Sequence, residues 1–267
     1  GLTVSALDVS SSYASGIVVT HYGTGTAAVT VTDVTAAKDG IRAKSYENGS
    51  SISITSTGEI EAGTGSDDRG ISTYSDRYAQ NVTIAANEVS GGTGVFVEHR
   101  GYGDVSITTT GDVEGAAKQG IKATTTSGIK FITPVTSVAH AAIRAPRSGA
   151  MTIEATNVTG SSTAIEATHA GAGDLSITAT GDVIGTTGSG IVASTAYAPF
   201  LLAPLASPAG APPPAPSTAL TINANNIRAA GSGVYAGHAG AGDLTITTTG
   251  QVTSQHYGVY AYNYSGS

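Results

Sequence analysis

Apolar residues along this chain alternate with polar ones in short bursts, and the bursts return about every 24 residues. Each unit opens on an apolar–polar–apolar triplet, as in Ile52-Ser53-Ile54, Val105-Ser106-Ile107 and Leu244-Thr245-Ile246. Some eight residues later a lone aliphatic follows a polar residue, as in Asp33-Val34, Asp112-Val113 and Asp182-Val183. A third burst then starts, usually after glycine: Gly40-Ile41, Gly120-Ile121 and Gly190-Ile191, with small second inward residues at Ala43, Ala123 and Ala193. Alternation rich in threonine and β-branched residues is the pattern of a half-buried strand. Helical i, i+3, i+4 spacing is not sustained in any window. Each unit therefore predicts three strands and three turns.

Registering the chain on the first inward apolar residue gives Leu2, Val29, Ile52, Val82, Val105, Ile129, Met151, Leu175, Leu220 and Leu244, which makes ten units. A self-similar period of this length marks a solenoid rather than a globule. The expected fold class is all-β, a parallel β-helix of about ten three-strand coils, each adding roughly 4.8 Å. Residues 1–267 read as one repeat domain that starts and stops inside the pattern, as a fragment of a longer solenoid does. One spacing, of 45 residues, marks a Pro-rich insertion at 198–217. Seven of the nine prolines lie there, and proline excludes such a segment from a sheet.

Composition narrows the function classes. The 36 glycines suit turns that recur in every unit. A net charge of −7, spread along the chain, argues against a nucleic-acid partner. With no cysteine there is no disulfide framework, thiolate metal site or thiol nucleophile. No run of 18 apolar residues is present, so no membrane insertion is expected of these residues. Nothing in the spacing of His, Asp and Glu points to a cofactor or a metal.

The stretch Gly173–Ser194, GDLSITATGDVIGTTGSGIVAS, with sister copies at Gly103–Thr124 and Gly242–Ala261, resembles passenger domains of bacterial autotransporters. The resemblance extends over the whole chain in looser copies. It implies a right-handed, single-stranded parallel β-helix, secreted through an outer-membrane barrel and exposed at the bacterial cell surface. It also implies adhesion or self-association, with a surface protein or glycan of a host or neighbouring cell as partner. The resemblance brings no catalytic residues with it.

Stacked units turn equivalent positions into columns. Outward Ser/Thr columns on the first strand read as hydroxyl ladders. A sharper reading, ice binding, is interrupted at Lys130, Ile132 and Glu154. The turn before the second strand carries Asp8, Asp33, Glu59, Glu88 and Asp112, which read as turn-capping groups. Weak Ca²⁺ binding there would need the nonapeptide calcium repeat, which is not present. The third strand is the least uniform. Ten of the twelve tyrosines lie on it or just after it. Exposed amphipathic rings suit a protein or glycan surface, and cross-unit packing is the competing explanation. The candidate binding residues are Tyr74, Tyr235, Tyr260, Tyr262 and Phe96, with Phe200, Leu201 and Leu202 from the Pro-rich insertion. Two alternatives stand beside the adhesive stalk. One is a polysaccharide-active enzyme built on Lys122 and Arg144 with Glu98 or Glu166. The other is a passive spacer whose functional tip lies elsewhere. The chain carries no Ser-His-Asp elbow, HExxH or phosphate loop, so it is not expected to be an enzyme.

Overall fold

The computed structural model describes residues 1–47, 49–126, 149–195 and 219–264. Within them every regular element is a strand, and every strand pairing is parallel. The strands fall into three ladders. The first runs through Leu2–Ser5, Gly25–Val31, Ser50–Ser56, Val82–Ala86, Val105–Thr109, Met151–Ala155, Leu175–Gly185, Leu220–Ala229 and Leu244–Thr248. The second runs from Asp8–Ser11 through Asp33–Ala36, Glu59–Glu61, Glu88–Gly91, Asp112–Gly115 and Asn157–Gly160 to Val252–Ser254. Leu175–Gly185 and Leu220–Ala229 belong to both, and so join the two ladders into one 16-stranded sheet. The third ladder is a separate 9-stranded sheet, from Ile17–His21 to Val259–Asn263. One strand of each ladder makes a rung, and nine rungs stack among the described residues.

Alternating side chains hold the register. Strands such as Ile41–Ser45, Ile121–Thr125 and Ile165–His169 bury every second residue. Val105 faces Met151, Ile107 faces Ile153, and Ile121 faces Ile165. Inward residues of both sheets share one continuous core. Each Val, Leu or Ile buried this way contributes about 1.5–3 kcal/mol. A slip of one residue would turn a whole aliphatic row out to solvent, so the register is strongly specified.

Two expectations about the count are corrected. Leu2 faces Ala27 rather than Val29, and Val4 faces Val29. The first inward residue of the second rung is therefore Ala27, and Gly25–Val31 starts earlier than the triplet pattern suggests. A buried alanine is too weak a signal to mark a strand start beside Val29 and Val31. The second correction is larger. Val105–Thr109 bonds directly to Met151–Ala155, and Ile121–Thr125 bonds directly to Ile165–His169. No rung lies between them, so the unit assigned to Ile129 has no place in the stack. Lys130, Ile132 and Arg144 lie outside the described residues, as does the 198–217 insertion.

Turn glycines before the third ladder are needed for space. A Cβ at Gly120 would lie 2.5 Å from Val158 Cγ1 and 2.8 Å from the carbonyl oxygen of Thr159. At Gly190 it would meet Ile227 Cγ2 at 2.4 Å and the Gly233 carbonyl oxygen at 2.7 Å. The corner is thus closed by the second-ladder aliphatic of the following rung. Gly120→Ala should destabilise the chain by about 1–3 kcal/mol, seen as a lower urea midpoint. The opposite sign is expected at Thr73. It is fully buried in the column between Ala43 and Val97, and its hydroxyl has no partner. Thr73→Val should raise the urea midpoint, with a gain of about 1 kcal/mol.

Candidate functional site on the third ladder

The outward side of the third ladder carries the candidate binding residues, but not as one continuous face. Tyr74 lies on the third rung. Its ring is 5.6 Å from that of Tyr46, which stacks on Tyr22 at 5.3 Å and 15°. The Arg100 guanidinium sits 5.2 Å from the Tyr74 ring and is paired with Glu98. Burial pushes the Tyr74 phenol above its ordinary value, against the lowering effect of Arg100. The hydrogen bond to Glu98 in turn raises Arg100. Phe96, one rung on, is covered by the Arg69 guanidinium 3.8 Å from its centroid. Its ring face is occupied by a cation, an arrangement worth about 0.5–1 kcal/mol at an exposed site.

Tyr235, Tyr260 and Tyr262 come together on the last two rungs with Tyr257 and Tyr264. Tyr235 stacks on Tyr260 at 5.2 Å, and Tyr262 meets Tyr235, Tyr260 and Tyr264 edge-on at 5.7, 5.8 and 5.1 Å. Tyr257 completes the group, 5.1 Å from Tyr260. The Tyr262 ring folds back over Gly237, where a Cβ would lie 2.6 Å from Cζ. Hydrogen bonding with the Tyr235 hydroxyl, with burial second, pushes the Tyr262 phenol up to about 12. Tyr235, Tyr257, Tyr260 and Tyr264 remain 37–71% exposed, so the group is a surface feature.

Between Tyr74 and Tyr235, five rung steps or about 24 Å apart, the outward residues are Phe96, Lys122, Glu166 and Val192 in one column and Glu98, Thr124, Thr168 and Ser194 in the other. Phe200, Leu201 and Leu202 lie outside the described residues. The carboxylates proposed for catalysis are engaged by neighbours. Glu166 takes Lys122 Nζ at 2.8 Å on one oxygen and Gln119 Nε2 at 2.7 Å on the other. Glu98 does not face Lys122. Phe96 does, and Glu98 faces Thr124.

On the turn before the second ladder, Asp33 Oδ1 accepts the Glu59 N–H at 2.7 Å, and Asn157 Oδ1 accepts the Asp182 N–H at 2.8 Å. Asp112 accepts from the Asn157 amide at 2.9 Å. These groups bridge rung to rung through turn amides. No three His, Asp or Glu side chains converge among the described residues.

No family model, no curated protein and no solved structure matches this chain.

The corner after the third ladder holds a feature that column reading passed over. The last inward position of successive rungs reads Ser75, His99, Thr125, His169, Thr195 and His238. All six are buried. His169 Nε2 faces the Gly173 carbonyl at 3.0 Å, and His238 Nε2 faces the Gly242 carbonyl at 3.0 Å. A carbonyl only accepts, so Nε2 carries the proton and Nδ1 is the acceptor. Nδ1 receives the hydroxyl of the preceding rung: Ser75 to His99 at 2.5 Å, Thr125 to His169 at 2.7 Å, Thr195 to His238 at 2.7 Å. Each threonine oxygen also accepts the N–H that follows the next histidine, Ala170 or Ala239, at 3.1 Å. The sequence signal is HxGxGD at His99–Asp104, His169–Asp174 and His238–Asp243, repeating at about 70 residues rather than 24. The aspartate caps the next rung: Asp104 accepts the Ala150 N–H at 2.8 Å, and Asp174 accepts the Ala219 N–H at 2.7 Å.

Two of these imidazoles, His99 and His169, are held neutral. Burial lowers His169, and it lowers His99 to about 4, in both cases against a raising carbonyl hydrogen bond. A folded-state value below the unfolded 6.5 means that the unfolded chain takes up protons first. The contribution of His99 to stability is complete above pH 6.5 and is lost as pH falls toward 4, a total of about 3 kcal/mol. Urea unfolding should therefore show a midpoint that falls between pH 7 and pH 4.5, with a shallower fall in His99→Gln.

Proposed function

We propose that this chain is a stretch of a right-handed, single-stranded parallel β-helix, working as a surface-exposed passenger stalk of an autotransporter. In this reading it lies at the bacterial cell surface, outside the outer membrane. It adheres to a protein or glycan on a host or neighbouring cell, or associates with its own kind. Three in-register parallel ladders with one shared core support the helical part of the reading. Such a rod is long, is free of cysteine and has few charges.

The observation that carries the adhesive part is the group of five tyrosines on the last two rungs. Elsewhere the rod's outward columns are mostly Ser, Thr and isolated ion pairs, which bind water well and contribute little to recognition. Tyrosine offers large contact area with few rotatable bonds, and a hydroxyl that bonds a polar partner. Interface hot spots are enriched in tyrosine for that reason.

Displaying the chain on a non-adherent bacterium and scoring attachment to host cells, glycan arrays and sister cells tests the reading. Replacing Tyr235, Tyr260 and Tyr262 together with serine should lower the affinity at least about 30-fold, since one hot-spot residue accounts for about 2 kcal/mol. Attachment that survives the triple replacement unchanged rules out the tyrosine surface.

A further inference from the structure

Ten described tyrosines touch another tyrosine ring. Most of these contacts run between neighbouring rungs. Tyr22–Tyr46 joins rungs one and two, Tyr46–Tyr74 joins two and three, and Tyr78–Tyr102 joins three and four. Tyr235 with Tyr260 or Tyr262 joins eight and nine. Among the described residues only Tyr13, 91% exposed, has no ring neighbour. The chain has no cysteine, so no disulfide ties one rung to the next.

We propose that the paired tyrosines are sites of oxidative cross-linking, in which rings on neighbouring rungs are joined ortho carbon to ortho carbon as dityrosine. The reaction needs two phenols close together and accessible to an oxidant. The group on rungs eight and nine meets both needs, with centroids 5.1–5.8 Å apart and four of its five rings well exposed. The stacked pairs must swing about their side-chain torsions to form the bond, and exposed rings have the room to do so. Backbone movement is not required, because the register already holds the two residues directly opposite each other, as with Tyr235 and Tyr260.

The co-reactant is a peroxidase-class one-electron oxidant with hydrogen peroxide. Each phenol gives up one electron and one proton, and the two electrons and two protons reduce one peroxide to two waters. The two phenoxyl radicals couple to form the carbon–carbon bond. The ortho hydrogens then leave as protons while the oxygens are reprotonated, restoring two phenols. The product is two hydrogens lighter per bridge and clamps adjacent rungs covalently. It does not depend on the adhesive reading above, since it rests only on ring contacts and exposure.

The test uses the full chain at high dilution, treated with a haem peroxidase and hydrogen peroxide. It is read by dityrosine fluorescence, denaturing gel and peptide mass. The expected product runs as a monomer and yields linked peptides joining Tyr235 to Tyr260 or Tyr262. That link should be lost in the Tyr260→Phe/Tyr262→Phe variant, which keeps the rings and removes the phenols. Oxidation in urea, which separates the rungs, should lower its yield several-fold. Tyr13 serves as an internal control for simple reagent access. Cross-links that form only between molecules, that involve Tyr13 as often as the paired rings, or that form equally well in urea would overturn the proposal.

Discussion

Main-chain hydrogen bonding between equivalent positions of successive rungs is the constraint on which the rest of this molecule depends. Each ladder pairs a strand only with the strand one rung before and one rung after. Whatever occupies a position therefore faces its own equivalent at about 4.8 Å. Isoleucine on isoleucine makes a continuous core. Aspartate or asparagine at a turn reaches the N–H of the next turn, and tyrosine falls against tyrosine. Like charges facing each other along a ladder cost stability, and where they do meet, as Asp8 with Asp33 and Glu59 with Glu88, they sit at the start of second-ladder strands.

The same constraint explains the buried histidines. A column made only of imidazoles would set two acceptors or two donors against each other at every step. Alternation with serine or threonine resolves this, because a hydroxyl can donate to one ring nitrogen and accept a backbone N–H at once. The alternation doubles the structural repeat from one rung to two. Beside this corner, Asp104 and Asp174 accept the N–H of Ala150 and Ala219. One corner thus combines a satisfied polar core and a pH-sensitive element. Polar networks of this kind are favourable only when every member is bonded, and these are.

The tyrosine groups show how far a surface column can be read alone. Tyr22 and Tyr46, just past the ends of their strands, and Tyr235 within one, lie against a neighbouring rung's tyrosine, and cross-rung stacking accounts for their spacing. Stacked rings turn their faces to one another and leave edges and hydroxyls outward. The group at Tyr262 is different, because that ring crosses the column to lie on Gly237 and meets three others edge-on. Which tyrosines form a surface and which form a ladder depends on side-chain direction.

Period, strand content and the identity of the inward columns were all legible in the sequence, because alternation at period two and glycine before the third strand are local signals. The core position of Ile41, Ile121 and Ile191 follows from their neighbours alone. The number of rungs was not legible. The stretch 127–148 has apolar residues at tempting intervals, and only its two prolines, Pro134 and Pro146, speak against a strand. Pairing of Val105 with Met151 decided the matter, since a ladder admits one partner on each side. The second-rung start at Ala27 was settled in the same way. Hydroxyl–imidazole alternation was written in the chain as HxGxGD at about 70 residues. Its meaning came only when the fold placed Thr125 beside His169, two residues 44 positions apart. Local pattern determines what each residue prefers to be next to, and tertiary stacking decides which residue that is.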